Sequence, residues 1–299
     1  MRSGYGFLLL TSQLGDPRRK PLTTAQLRVL TQRIRWGQNQ GSQEPLNARY
    51  LEGLGYPSEE AVRICALMND DAQLERYLRN GEARGCVPVT RQNPQYPLIV
   101  RKRLGLDSPG ALWCKGDLNI LAQPAIALVG SRDLNRENRA FAREAGRQVA
   151  MQGFALVSGN ARGADSTAQR ACLEAGGQVV CVVADALQNL PQQKNVLYIS
   201  EEDYDAPFST LRALRRNRVI HAMGWLTLVA QSSLGKGGTW SGTTQNLRAG
   251  WSQVFCLRDG SRAALELEHL GAVLIGPEDL QDFARLSEQG QNLFAEIPF

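Results

Sequence analysis

A three-layer α/β fold is the architecture this sequence predicts, with a mainly parallel sheet covered by helices on both faces and a small helical region ahead of it. Two observations carry that prediction. From Ala125 onward short, wholly apolar runs recur: AIALVG (125–130), FALVSG (154–159), QVVCVVA (178–184), LTLVA (226–230) and QVFCL (253–257), with amphipathic segments between them. Continuous rather than alternating apolar residues mark strands buried on both faces, as in a parallel sheet between helices. Before Gly85 the apolar residues fall instead at helical spacing.

The elements follow in order. Between Thr23 and Gly85, Leu27, Leu30 and Ile34, and later Ala61, Ile64, Cys65 and Met68, trace helical faces. Thr23 or Thr24 caps the first helix and Ser58 with Glu59 and Glu60 opens another, while Gly53, Gly55 and Gly81 punctuate the ends. Residues 1–85 are therefore expected to form a helical domain. Pro88, Pro94, Pro97 and Pro109 then exclude any long helix, so 86–119 reads as a connector with short extended pieces. The α/β domain is expected over 120–276. Asn138 to Gln152, with Phe141, Ala145, Val149 and Ala150, supplies its first crossover helix, and 277–299 reads as a terminal helix and tail.

Composition narrows the function classes. A chain of 299 residues with 43% hydrophobic and 21% charged residues is globular, not a coiled coil or a disordered segment. The charge sum, 34 − 29 = +5, permits a polyanionic partner without requiring one. Six cysteines without a CxxC pair, beside two histidines, offer no zinc set and suit a reducing compartment. The apolar run Phe7 to Leu10 is too short for a signal-peptide core, and no stretch of 18 apolar residues occurs. The expectation is a cytoplasmic protein with no membrane partner, no metal and no cofactor.

In open parallel sheets ligands bind beyond the C-terminal strand ends. Here these positions are rich in glycine: Gly130-Ser131-Arg132 after the first apolar run, Ser158-Gly159 through Arg162, Gly163 and Asp165 after the second, and Lys236-Gly237-Gly238-Thr239 after the fourth. Glycines let backbone N–H groups face an anion, and helix N-termini favour negative charge, so phosphate is the natural guest; plain βα turns are the other explanation. Lys236 is followed by Gly237, so a Walker A loop is absent. Arginine forks suit phosphodiester oxygens, and Arg132, Arg162, Arg216 and Arg218 are the candidates, with Asn217 between the last two. Arg212 and Arg215 read equally as a solvated face. Asp165 either polarises a ligand or caps the helix after its loop. His221, on an apolar helix, and His269, in an acidic one, read as structural, and no catalytic residue is expected.

VGSR (129–132), SGNARGAD (158–165), Asp185 with Leu190-Pro191 and Asn195, Ser200-Glu201, RNRVI (216–220) and SGTT (241–244) occur in the order found in the DprA/Smf DNA-processing family. With GCVPVTRQNPQYP (85–97), the resemblance spans about residues 86 to 258. It implies an extended Rossmann-like fold, single-stranded DNA as partner, a homodimer, and a role in loading the RecA recombinase. Several positions depart from the family pattern. Ala164 replaces an isoleucine, Gln169 a histidine and Leu190 a tyrosine, and Ala213-Leu214 stand where an aromatic-proline pair is usual. About 23 residues follow Gly276, so the winged-helix-like C-terminal domain of many members is not expected. Leu247, Trp251 and Val254 are the candidate apolar surface for dimerisation, with core packing as the other reading of Trp251.

Two functions follow from that resemblance. One is a non-enzymatic single-strand DNA binder acting in DNA processing and recombination, with backbone contacts from Ser131, Gly159 and Gly238. The other, suggested by the wider nucleotide-sensing superfamily, is an antitoxin-type regulator in phage defence that reads a nucleotide or DNA intermediate and holds a protein partner. Phosphoribohydrolases of that superfamily carry GGxGTxxE; Gly242 occupies the glutamate position here, which favours binding over hydrolysis.

Overall fold

The computed structural model describes residues 4–39 and 46–288. The last part of the expected tail, 289–299, lies outside the described residues. Five helices come first: α1 (Gly6–Thr11), α2 (Thr24–Asn39), α3 (Ala48–Gly53), α4 (Ser58–Met68) and α5 (Asp71–Glu82). Leu10, Leu27, Leu30, Leu51, Ile64 and Leu67 of α1–α4 share a small core. Leu8 and Leu9 of α1 and Leu74 and Tyr77 of α5 join the main core instead.

The proline-rich stretch forms the antiparallel edge of the sheet: β1 (Val87–Thr90) and β2 (Ala111–Lys115), with α6 (Leu98–Leu104) between them. All five apolar runs are strands: β3 (Ala125–Val129), β4 (Ala155–Ser158), β5 (Gln178–Val182), then β7 (Leu226–Val229) and β8 (Gln253–Leu257). Two strands escaped the sequence pattern, β6 (Val196–Ser200) and β9 (Val273–Ile275). β6 has no flanking amphipathic period to announce it, and β9, although it follows the amphipathic α12, is only three residues long. The helices between strands are α7 (Arg136–Met151), α8 (Ala164–Glu174), α9 (Thr210–Arg215), α10 (Asn217–Met223), α11 (Gly237–Ala249) and α12 (Arg262–His269).

These make a nine-stranded sheet in the order β1-β2-β6-β5-β4-β3-β7-β8-β9, parallel from β6 to β9. The mainly parallel, three-layer, Rossmann-like arrangement is thus the observed one. Alternate residues of β3 serve opposite faces, as the period of a strand requires. Ile126 and Leu128 meet Phe141, Ala145 and Val149 of α7 and Ala168 and Cys172 of α8. Ala125, Ala127 and Val129 meet Val219, Ile220 and Met223 of α10 and Leu267 of α12. Gly146 lets α7 and α8 approach closely, since a Cβ there would lie 2.1 Å from the Ala168 carbonyl oxygen.

The proposed dimer surface is not free. Val254 is buried, and Leu247 and Trp251 are partly buried against the same core, because α11 lies along β8. His221 is fully buried: its Nδ1 lies 3.3 Å from both Thr227 Oγ1 and Asn246 Nδ2, and burial pushes the imidazole down to about 3. It is a neutral core residue, as its apolar helix suggests.

Candidate anion-binding cleft

The chain winds outward from β3 through β4, β5 and β6, then returns to place β7 on the other side of β3. Connections leave in opposite directions at that point, and a crevice opens beyond the C-terminal ends of β3 and β7. A cleft of about 450 Å³ occupies it.

Hydrogen bonds between the loops shape this cleft. The Ser131 N–H donates to the Gln231 carbonyl at 2.9 Å, Thr239 Oγ1 donates to the Gly130 carbonyl at 2.9 Å, and the Ala164 N–H donates to the Ser131 carbonyl at 3.1 Å. The second loop can approach the first because Gly163 has φ +91° and no side chain: a Cβ would sit 2.4 Å from the carbonyl oxygens of Ser131 and Arg132. Asp165 fixes that loop from below. Its Oδ2 accepts the N–H groups of Gly159 at 3.0 Å and Ala161 at 3.1 Å. It therefore pins the loop that precedes α8; no side chain caps this helix at Gly163. The backbone N–H groups of Ser131 and Gly159, expected to face a ligand, are both satisfied within the protein.

Arg216 forms the floor. It is nine-tenths buried, its Nε has no hydrogen-bond partner, and it lines the cleft beside Asp165. Burial pulls the guanidinium below its usual range while Asp165 and Asp185 oppose that shift. Burial likewise raises the Asp165 carboxyl, with Arg216 acting against it. Gly159 sits directly behind, where a Cβ would lie 1.7 Å from Arg216 Nη1. Ser158 is fully buried and its hydroxyl accepts from Gln169 Nε2 at 2.5 Å; neither it nor Gly159 lines the cleft, and only Gly159 abuts the arginine.

The opposite wall is the start of α11. Lys236 stands at its N-cap without a side-chain cap, and Gly237, Gly238 and Thr239 of the first turn line the cleft. The first N–H groups of a helix have no intrahelical acceptor and carry roughly half a positive charge together. Asn217 Nδ2 donates to the Gly238 carbonyl at 3.0 Å and so fixes α11 against α10. Arg132 and Lys236 are exposed at the cleft, and Asp165 is the one carboxylate among its described lining residues. The balance favours an anion.

Two candidates lie elsewhere. Arg218 pairs with Glu201 and donates to the Asp107 carbonyl, tying α10 to the end of β6 and the turn after α6. Arg162 forms an ion pair of 2.8 Å with Asp133, both well exposed, outside the cleft lining. The sequence also left one contributor unnoticed. Phe208 is 52% exposed and, with Leu214 of α9, lines the cleft mouth beside the arginines. An aromatic residue just ahead of the arginine cluster was the available signal.

The family model for DNA recombination-mediator protein A matches residues 88–257, the region that carries the cleft. Protein Smf of Escherichia coli (strain K12) is 29% identical over 142 residues, which is 44% of this chain and 38% of that protein. The X-ray structure of DNA processing protein A from Streptococcus pneumoniae is similar in fold, with a TM-score of 0.70 and 22% identity over 99% of this chain and 97% of that one. The structure of DNA processing protein A from Helicobacter pylori gives a TM-score of 0.56 and 24% identity over 71% of this chain and 97% of that one.

Proposed function

Since the chain belongs to the DNA recombination-mediator protein A family, we propose that its switch-point cleft holds the phosphodiester backbone of single-stranded DNA and performs no chemistry on it. One observation carries the reading: a buried arginine with an unpartnered Nε and the uncapped start of a thirteen-residue helix line the same cleft. The buried Arg216 Nε, removed from water without a protein acceptor, is costly unless a ligand completes it, and phosphate oxygens are acceptors of matching geometry for it and for the free N–H groups of the helix start. Phe208 and Leu214 at the mouth supply an apolar platform for a base, a contact that contributes about 1–3 kcal/mol per base and reads no sequence. The Helicobacter pylori relative has a single-stranded DNA binding mode, which supports the same partner here. Asp165 serves no base chemistry in this reading, because its Oδ2 already accepts two N–H groups. We further propose that the bound strand is passed to a RecA-type recombinase, a role in keeping with the family's description as a recombination mediator.

Fluorescence anisotropy with mixed-sequence oligonucleotides at rising salt tests the assignment. Arg132→Ala and Lys236→Ala are each expected to weaken binding and to lower the salt slope by about 0.7, the share of one phosphate on a single strand. Arg28→Ala and Arg79→Ala remove the same charge outside the cleft lining and are expected to leave the slope unchanged. Equal losses in both pairs would replace the cleft by diffuse electrostatics.

A further inference from the structure

A second concave surface lies between α7 and α8. It is a groove of about 350 Å³ lined by Arg139, Arg143 and Arg170, with the hydroxyl-bearing Ser166 and Thr167 at one end and Glu174 at the other. Arg139 and Arg143 are one helical turn apart on the same face of α7, and Arg170 faces them from α8. All three are exposed. Their counter-charges are largely missing. Glu144 is taken by Arg147 at 2.6 Å, and the Arg139 side chain makes one hydrogen bond, to the Leu134 carbonyl at 3.4 Å. Among the described residues neither the Arg143 nor the Arg170 side chain has a hydrogen bond or ion pair. Like charges at this spacing repel, so gathering three arginines around one hollow with a single carboxylate opposes the stability of the helix pair. A bound polyanion removes that opposition.

Position ties the groove to the cleft. Both open on the first turn of α8, with Asp165 lining the cleft and Ser166 and Thr167 lining the groove. From Asp165 to Arg170 the helix advances about 8 Å, a distance covered by a very short stretch of extended strand. We propose that the α7–α8 groove is a second phosphate-binding subsite that receives the same DNA strand as it leaves the switch-point cleft, with Arg143 and Arg170 as its principal contacts. The proposal rests on the reading of the cleft as a single-strand site, and it makes the footprint longer than the cleft alone.

The test compares fluorescent oligothymidylates of about two and about twenty-five nucleotides, the first too short to occupy the cleft and also cross to the groove. The double variant Arg143→Ala/Arg170→Ala is expected to bind the longer strand about tenfold more weakly, with a salt slope lower by about 1.4, and the shorter strand as the parent protein does. Arg143→Lys/Arg170→Lys is expected to recover most of that loss. Loss of equal size on both lengths, or none on the longer strand, overturns the groove. A loss seen with duplex of equal length but not with single strand assigns it to duplex and also overturns the proposal. Arg132→Ala read on the short strand reports on the cleft alone: no effect there defeats the cleft reading, while the groove is judged by the length-dependent loss. Binding of neither oligonucleotide overturns both.

Discussion

Gly159 shows how one missing Cβ places a charge. The guanidinium of Arg216 occupies the volume where any larger residue's Cβ would stand, 1.7 Å from Nη1, and this contact holds it beside Asp165 at the cleft floor. Gly159→Ala is therefore expected to displace the arginine and leave the buried carboxylate poorly compensated. Arg216 and Asp165 form no direct ion pair but oppose each other's desolvation, and displacing the arginine is expected to cost about 1–3 kcal/mol, the desolvation penalty of a poorly compensated buried polar group. Urea unfolding would measure the stability, and oligonucleotide anisotropy the accompanying loss of affinity. An unchanged midpoint and unchanged affinity would show that Arg216 does not depend on this contact. The glycine looked like a phosphate-facing residue in the sequence, yet its N–H is given to Asp165 and its real contribution is the space it leaves.

At the scale of elements, the segment from Glu201 to Phe208 joins the N-terminal helices to the cleft mouth. Asp203 Oδ2 accepts the Gln13 N–H at 2.8 Å, the Tyr77 hydroxyl donates to Asp205 at 2.6 Å, Glu202 lies 3.6 Å from Arg212, and Glu201 holds Arg218. The loop that presents Phe208 is thus anchored from both sides. Burial pushes the Asp203 carboxyl up to about 6, against the hydrogen bonds that favour its charged form. The folded state therefore keeps a proton there, between the unfolded value near 3.8 and about 6, that the unfolded chain has lost. Stability from this residue is present at low pH and is lost as pH rises through that window. Asp203→Asn, whose amide oxygen still accepts from Gln13, is expected to remove this component. Thermal melts of both proteins between pH 4 and 7 would show the variant gaining relative to the parent as pH rises. A difference that stays constant with pH would contradict the assignment.

Across the whole molecule, an aromatic cluster couples the helical region to the sheet. Tyr77 of α5 stacks on Tyr204 at 4.5 Å, and both meet Trp113 of β2 edge-on, at 5.5 and 4.7 Å between centroids. Trp113 is almost fully buried, and α1 and α5 contribute to the main core, so the segments expected to form a separate domain share their burial with the sheet. One cooperative melting transition is expected, with far-ultraviolet and near-ultraviolet signals coinciding. Trp113→Ala is expected to lower its stability by about 3–5 kcal/mol while keeping it single. Two transitions in the parent protein would show that residues 1–85 fold as an independent unit.

The sequence by itself determined the layer architecture, because buried parallel strands and amphipathic helices have different apolar periods, and those periods are local. AIALV, ALVS, QVVCV, LTLV and QVFCL needed no tertiary context to be read as strands, and Gly130, Arg132 and Gly237 to Thr239 follow from their position after strand ends. Edge strands and short strands were less legible: β2 is recruited from a proline-rich stretch by pairing with β6, a partner more than eighty residues away, and β1 is added by pairing with β2. Only the tertiary structure decided which arginine lines the cleft. Arg216 and Arg218 are two residues apart on adjoining helical turns, and the backbone carries them to different neighbours, one to Asp165 and Gly159, the other to Glu201. Motif spacing states that charges are close in the chain. Which of them stays unpaired depends on carboxylates brought in from other strands, and the fold alone sets that arrangement.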